Sequence, residues 1–186
     1  MVKDFDLNKE VGYFLTDDSV SNRERPVFVL VTGLIGVGKT TLRKKKYGQG
    51  YVQLDAVDIC QNFKKTYANE DPDEMDELLS VVGFEIARRS ITERRNIITE
   101  IIGESLSMAK LMIDAMGSAG YQVNVVSVDC NVVEAYKRHV NAVTNDPSYL
   151  SAHYTQALHE YWVVGAAKAA IKARLNLNNQ RDGQLV

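Results

Sequence analysis

An unbroken phosphate-binding pattern, G-x-x-x-x-G-K-[ST], occupies residues 33–40 of this chain. Its members, with the threonine that follows them, are Gly33, Leu34, Ile35, Gly36, Val37, Gly38, Lys39, Thr40 and Thr41. A loop that wraps around phosphates turns its backbone N–H groups inward, and glycines permit the φ values and close approaches that this requires. Lys39 is placed to reach the β- and γ-phosphates, and the Thr40 hydroxyl to ligate Mg²⁺. The pattern therefore predicts a site for a nucleoside triphosphate with Mg²⁺.

The neighbouring sequence supports this interpretation. The apolar run Val27–Thr32 directly precedes the loop, and a helix is predicted from about Lys39. The amino end of that helix would direct its positive dipole at the bound anion. This strand–loop–helix context disfavours the alternative, a glycine-rich turn with an incidental lysine.

Acidic residues follow two of the predicted strands. Asp55 and Asp58 come after the second strand, and Glu100 ends the third. Ligands of an open parallel sheet bind at the carboxyl ends of its strands. Phosphoryl transfer to a hydroxyl needs one carboxylate to orient the acceptor and take its proton, and a second acid for Mg²⁺ or substrate. Asp58 and Glu100 are the candidates, while Asp55 is either catalytic or the N-cap of the next helix.

Strands and helices alternate along the chain. The predicted strands are 27–32, 51–54, 96–101, 122–128 and a closing strand at 174–178. The predicted helices are 7–15, one from about Lys39, 55–65, one opened by Asp71 and Pro72, 105–116, 131–143 and 148–170. Such alternation indicates an α/β fold of three layers, with a mainly parallel sheet covered by helices on both faces. We expect a single domain over residues 1–186, with 1–25 as an N-terminal helical leader.

Composition narrows the functional classes. The chain has 186 residues, 45% of them hydrophobic, which is enough for one domain with a real core. Its net charge of −2 gives no global basic field for nucleic acid or an anionic membrane. No stretch approaches the ~20 apolar residues that span a bilayer, and no apolar signal region opens the chain. A cytoplasmic protein without membrane partners is the prediction.

Several landmarks together resemble the zeta toxin family of phosphate-loop kinases. In order they are the phosphate loop, Val52–Asp58 after strand two, Asn96–Glu100, Gly120-Tyr121 before strand four, and the turn Arg181-Asp182-Gly183. The resemblance implies a P-loop kinase fold that uses ATP and Mg²⁺ to phosphorylate the 3′-hydroxyl of the amino sugar in UDP-N-acetylglucosamine. It also implies that Lys39 holds the ATP phosphates, Asp58 is the general base, Glu100 binds the acceptor sugar, and an antitoxin protein is a candidate partner.

The chain departs from the family pattern in two places. The family follows its substrate acid with a Gly/Thr/Gly/Arg-like stretch, whereas this chain has Ile101-Ile102-Gly103-Glu104, so the acceptor stays open. Two family arginines that neutralise the transferring phosphate fall near Ala142 and Ser151, and neither is basic. Arg138, one helical turn before Ala142, is the catalytic candidate in their place, with a solvated helix face as an equal alternative.

Two other functions remain open. One is a nucleic-acid or nucleoside kinase, in which the pairs Arg88-Arg89 and Arg94-Arg95 would line a strand-binding groove. The other is a degenerate module that binds ATP without turnover. A GTPase is disfavoured because the chain lacks an Asn-Lys-x-Asp motif.

The remaining conspicuous side chains are predicted to be structural. Arg43–Lys46 reads as a solvated helix end, where cations favour the helix dipole. His159 is expected to be a satisfied core or helix-surface residue rather than a metal ligand, and Trp162 to pack in the core.

Overall fold

The protein is described by a computed structural model that covers residues 5–21, 24–67, 72–103, 105–145 and 152–182. Within these residues four strands form one parallel sheet in the order β2-β3-β1-β4. The strands are β1 (Val27–Thr32), β2 (Val52–Gln53), β3 (Ile97–Ile101) and β4 (Gln122–Ser127). The carboxyl end of β1 therefore lies between those of β3 and β4.

Helices connect the strands and cover the sheet. They are α1 (Leu7–Phe14), α2 (Lys39–Tyr47), α3 (Ala56–Thr66), α4 (Pro72–Thr92), α5 (Leu106–Ser118), α6 (Val132–Asn145) and α7 (Ala152–Asp182), with a short 3₁₀ turn at Asp17–Ser19. Alternate residues of β1 point to opposite faces of the sheet, as a strand requires. Phe28 and Leu30 enter the larger core with α4, α5 and α7, whereas Val29 and Val31 pack on the side of α2. The predicted three-layer α/β fold is confirmed.

The long helices α4 and α7 pack through a tight contact at Gly83. A Cβ built on Gly83 would lie 2.2 Å from two ring atoms of Trp162, a separation that no real contact shows. The Trp162 ring is fully buried, and its Nε1–H donates to the Ser80 carbonyl at 3.1 Å. Core packing of Trp162 is thus confirmed, and Gly83 is required by the close approach.

The predicted closing strand at 174–178 is wrong, because α7 continues through it to Asp182. Between Ala166 and Asp182 the chain has no glycine or proline to end a helix, and it is rich in alanine, lysine, arginine and leucine. These are strong helix formers, so the helix continues. Of the predicted turn at 181–183, residues 181 and 182 are helical and Gly183 lies outside the described residues.

Other boundaries agree with prediction to within a few residues. The strands and the helices from α1 to α6 lie where they were expected. The predicted N-cap Asp71 and the predicted start of α7 at 148 lie outside the described residues, as do Glu104 and Ser151.

Candidate active site

The phosphate loop, residues 33–40, connects β1 to α2 and needs its glycines for space as well as for conformation. Gly36 has a φ of 78°. A Cβ built there would lie 2.0 Å from the carbonyl oxygen of Ala135, in the first turns of α6. A Cβ on Gly33 would lie 2.3 Å from the carbonyl oxygen of Val128. The loop is therefore pressed between α2, α6 and the end of β4, and larger residues do not fit.

Lys39 lies inside the loop rather than in solvent. Its Nζ donates to the carbonyl oxygens of Gly33 at 2.8 Å and Leu34 at 2.9 Å. Burial lowers the pKa of Lys39, and the negative charges of Glu100 and Asp55 partly oppose that shift. The ammonium is held at the mouth of the loop, where a phosphate would contact it.

Thr40 connects the loop to the acid at the end of β3. The parallel register pairs Val31 of β1 with Glu100, which brings that carboxylate beside the loop. The Thr40 hydroxyl donates to Glu100 Oε1 at 2.7 Å. Two of the residues selected from the sequence thus touch, although 60 positions separate them.

A buried arginine lies among the three predicted acids. Arg43 is fully buried, with Nε 3.1 Å from Glu100 Oε2 and Nη1 2.9 Å from Asp58 Oδ2. Nη1 also donates to Gln53 Oε1 at 2.9 Å, and Nη2 lies 3.4 Å from Asp55 Oδ2. Burial alone would lower the pKa of Arg43, but the three carboxylates more than offset it, so this pKa lies above its usual value. The prediction of a solvated Arg43 is wrong.

The sequence does contain a signal for this arrangement. Arg43 follows Lys39 by four residues and Thr40 by three, and residues at these spacings share a helix face. Because Lys39 and Thr40 face the site, Arg43 must point the same way. What the sequence does not show is that carboxylates from two other segments meet it there, which makes its burial tolerable.

Asp58 is held by two cations. Besides Arg43, Lys44 Nζ contacts its Oδ1 at 2.8 Å. Burial would raise the pKa of Asp58, but Arg43 and Lys44 outweigh this and keep that pKa below its usual value. Asp58 is therefore ionised at neutral pH.

Asp55 caps α3 with one carboxylate oxygen and faces Arg43 with the other. Its Oδ1 accepts from the N–H groups of Val57 and Asp58, both at 3.1 Å, so it is the N-cap of α3. Its Oδ2 faces Arg43. The capping interpretation is confirmed. The same carboxylate also belongs to an acid cluster, which we define as Asp55, Asp58 and Glu100 around Arg43.

These residues surround one cavity of about 630 Å³. From the sequence-selected set, its wall includes Ile35, Gly36, Gly38, Lys39, Thr40, Thr41, Asp55, Asp58, Glu100 and Arg138. Gly33, Leu34 and Val37 belong to the loop, with Val37 buried beneath it and Leu34 about half exposed. The far wall is formed by Val57 and Gln61 of α3, Ile101 and Ile102 after Glu100, and Thr155, Gln156 and His159 of α7.

Arg138 shares this cavity with the loop. It lies on α6, and His139 and Ala142 of the same helix also line the cavity. Arg138 is exposed to solvent and also lines the cavity, so both of its predicted roles stay open.

The arginine pairs considered for a nucleic-acid groove lie elsewhere. Arg88 and Arg89 pair with Glu85 at 2.6 and 2.7 Å, and Arg95 pairs with Glu93 at 2.7 Å. They lie at the end of α4 and the start of β3, at the opposite end of the strands from the cavity. A strand bound to them would not lead into the site.

Two features are absent from the described residues. No group of three or more His, Cys, Asp or Glu residues is arranged to hold a metal ion. No helix there has the length and apolar character needed to cross a membrane.

A parallel sheet with a phosphate loop after β1 and an acid-bearing β3 beside it defines the P-loop kinase fold. The family model "Zeta toxin" matches residues 13–140, and the chain belongs to this family. The predicted family membership is confirmed, and the chain is in general terms a P-loop phosphotransferase.

Two solved structures share the fold at low identity. One comes from the PezAT chromosomal toxin–antitoxin system of Streptococcus pneumoniae, with 13% identity, a TM-score of 0.53, and coverage of 78% of this chain and 69% of that one. The other belongs to the Pnkp1/Rnl/Hen1 RNA repair complex, with 16% identity, a TM-score of 0.51, and coverage of 82% and 48%. No curated protein matches the chain.

Proposed function

We propose that this protein transfers the γ-phosphoryl group of ATP, with Mg²⁺, to a hydroxyl of a small molecule, and that a sugar nucleotide such as UDP-N-acetylglucosamine is the favoured acceptor. The observation that carries the proposal is the shared cavity: the loop residues Lys39 and Thr40 open into the same space as Asp58 and Glu100. Phosphoryl transfer needs these two sets of groups in one place, because it depends on positioning and on charge stabilisation.

The nucleotide half of the cavity fits a triphosphate. The loop offers backbone N–H groups, Lys39 a positive charge, and Arg138 a second cation at the wall of the cavity. Thr40 supplies the hydroxyl that would ligate Mg²⁺, which typically takes one or two protein ligands and completes its shell with phosphates and water. Bound Mg²⁺ neutralises charge on the β- and γ-phosphates.

Asp58 is the proposed base. Its lowered pKa makes it ionised but weakly basic. This suits a loose transition state, in which the acceptor oxygen has formed little bond to phosphorus and loses its proton late. Orientation of the hydroxyl is then the main contribution of Asp58, and Glu100, between Thr40 and the acceptor half, contacts the same acceptor.

The acceptor half of the cavity favours a neutral ring as the reacting part of the acceptor. Its wall carries Val57, Gln61, Ile102, Thr155 and Gln156, which are apolar or uncharged. The basic residues that line the rest of the cavity belong to the loop or to α6, apart from Lys44, which pairs with Asp58. The reacting ring of a UDP-sugar is uncharged and carries several hydroxyls, which suits this wall, and its diphosphate would lie nearer the basic residues outside the acceptor half.

The decisive experiment is detection of phosphoryl transfer by mass spectrometry. Wild type is incubated with ATP and Mg²⁺ and a panel of UDP-sugars, nucleosides and single- and double-stranded oligonucleotides, with Lys39→Ala as the blank. Product on UDP-N-acetylglucosamine supports the proposal. Product on an oligonucleotide instead makes the protein a nucleic-acid kinase, and tight ATP binding with no product on any hydroxyl makes it a binding module.

A second variant tests the role of Asp58. Asp58→Ala is expected to lose transfer while ATP binding, measured by calorimetry, changes little, because the loop contacts remain. Full transfer by Asp58→Ala would contradict the assignment and move the role of base to Asp55.

The proposal includes an antitoxin partner, since the structural neighbour comes from a toxin–antitoxin system. Induced expression of wild type in a bacterial host is expected to arrest growth, whereas Lys39→Ala is tolerated. Equal growth of the two strains, at equal protein levels, would contradict the toxin role without touching the kinase assignment.

A further inference from the structure

The acid-bearing segments are held in place by α7, a helix that lies beyond the residues matched by the family model. We propose that His159 of α7 is a positioning residue for phosphoryl transfer, because it fixes the start of α3, which carries Asp58, against the end of β3, which carries Glu100. This inference rests on the proposed function.

Both ring nitrogens of His159 are used. Nδ1 lies 2.7 Å from the carbonyl oxygen of Glu100, which only accepts, so Nδ1 carries the hydrogen and donates. Nε2 accepts from the backbone N–H of Ala56 at 2.9 Å. Only the neutral ring with its hydrogen on Nδ1 makes both contacts. The side chain is 2% exposed, and burial lowers its pKa, which maintains this form.

The contact with Ala56 completes the capping of α3. The first N–H groups of a helix have no partner within it. Asp55 Oδ1 satisfies those of Val57 and Asp58, and His159 satisfies that of Ala56. Three hydrogen bonds thus hold the first turn of α3, which includes the proposed base Asp58.

The end of β3 depends on α7 in the same way. Ile101, Ile102 and Gly103, which follow Glu100, have no polar side-chain groups with which to fix themselves. Gln156, one turn before His159, accepts from the N–H of Ile102 at 3.2 Å through Oε1. Gln156 and His159 therefore hydrogen-bond to the backbone on both sides of Ile101.

A rigid ring between two backbone groups sets their separation. The His159 ring fixes the distance between the backbone at the start of α3 and the backbone of Glu100. Arg43 fixes the distance between the side chains of Asp58 and Glu100. Misplacement of reacting groups by about 1 Å typically costs about 100-fold in rate. The ring also lines the cavity, but its nitrogens are turned toward the two backbone segments.

Three substitutions separate the two contacts. In His159→Asn the amide nitrogen replaces Nδ1, so the contact with Glu100 is kept and that with Ala56 is lost. In His159→Gln the amide oxygen replaces Nε2, so the contact with Ala56 is kept and that with Glu100 is lost. His159→Phe keeps the shape of the ring and loses both. Val163→Ala is the matched control, because Val163 is a buried residue of the same helix that lies in the large core.

The kinetic readout is kcat for transfer to the best acceptor of the panel, per mole of ATP-binding protein. We expect a fall of about 100-fold in His159→Phe and about 10-fold in each of the other two, with the Kd for ATP within about 2-fold of wild type. Val163→Ala is expected to lose stability but to keep kcat. Normal kcat in His159→Phe, or equal losses in His159→Phe and Val163→Ala, would overturn the inference.

Hydrogen exchange tests the contacts independently of catalysis. In His159→Phe, backbone amides of 55–58 and 101–103 are expected to exchange about tenfold faster, while those of 39–47 do not change. Unchanged exchange at 55–58 would overturn the inference. If exchange at 55–58 is faster in His159→Phe but the wild-type protein phosphorylates no acceptor, the positioning contact is supported and the proposed function is contradicted.

Discussion

Arg43→Met is the substitution that most severely tests our account of the acid cluster. Methionine fills a similar volume, but it leaves Asp55, Asp58 and Glu100 without the guanidinium that lies within 3.4 Å of all three. Of the other cations, Lys44 contacts only Asp58, and Lys39 is directed to the loop carbonyls.

The expected loss follows from burial. Arg43 is fully buried, and the side chains of Asp58 and Glu100 are only 18% and 14% exposed. Removing one partner of a buried ion pair typically costs about 3–5 kcal/mol, because a charge is left uncompensated. Since domains are stable by only about 5–15 kcal/mol, Arg43→Met is expected to lose a large part of the free energy of unfolding.

The sign of the pH dependence gives a second test. In wild type, burial alone would raise the pKa of Asp58, but Arg43 and Lys44 keep it below its usual value, so this carboxylate contributes stability above its unfolded pKa. That contribution is lost as pH falls through the folded pKa, and Arg43→Met removes the part of it that depends on Arg43. The loss in free energy of unfolding relative to wild type should therefore be larger at about pH 7.5 than at about pH 3.5, because unfolded aspartate has a pKa of about 4.

The assay is urea unfolding at both pH values, followed by circular dichroism, with Lys45→Met as the control. Lys45 is an exposed residue on the same helix, and its removal is expected to change stability by less than about 0.5 kcal/mol. A loss below about 1 kcal/mol in Arg43→Met, or a deficit equal at the two pH values, would refute the reasoning, since a buried charge left unpaired should cost more.

Three further predictions concern packing and protonation. Gly36→Ala should weaken ATP binding by at least about tenfold in calorimetry, because its Cβ would meet the Ala135 carbonyl at 2.0 Å and displace the loop; normal affinity would contradict this. Gly83→Ala should lose about 1–3 kcal/mol in urea unfolding through its clash with Trp162, and an unchanged midpoint would show that the α4–α7 contact can relax. Burial lowers the pKa of His159 below the usual value of about 6.5, so the unfolded chain protonates at this histidine first, and wild-type stability should fall as pH drops below about 6.5. His159→Phe should lack this fall, and the same fall in both proteins would assign it to another group.

The nucleotide half of the site is predictable from sequence because its chemistry is local. A loop that must cradle phosphates needs particular residue types at fixed spacing, so residues 33–40 define it without knowledge of the fold. Glu100 was also predicted, because an acid inside the apolar run of β3 is costly to bury unless it faces a site.

The parts that sequence reasoning missed depend on long-range contacts. The charge run that begins at Arg43 looks like a solvated helix end until acids from α3 and β3 are brought to it. His159 was expected to be a satisfied core or helix-surface residue, and it is a satisfied core residue, but its partners, Ala56 and Glu100, lie 103 and 59 residues away. The predicted closing strand is wrong because the stretch from Ala166 to Asp182 contains neither glycine nor proline to end α7.

The central claim, that the cavity joins a nucleotide site to a hydroxyl acceptor, is tested most directly by phosphorus NMR of one reaction mixture. Wild type with ATP, Mg²⁺ and UDP-N-acetylglucosamine should lose the γ-phosphate resonance while a phosphomonoester resonance appears in equal amount, and Lys39→Ala should show neither change. Release of inorganic phosphate alone, or equal turnover by wild type and Lys39→Ala, would contradict the account.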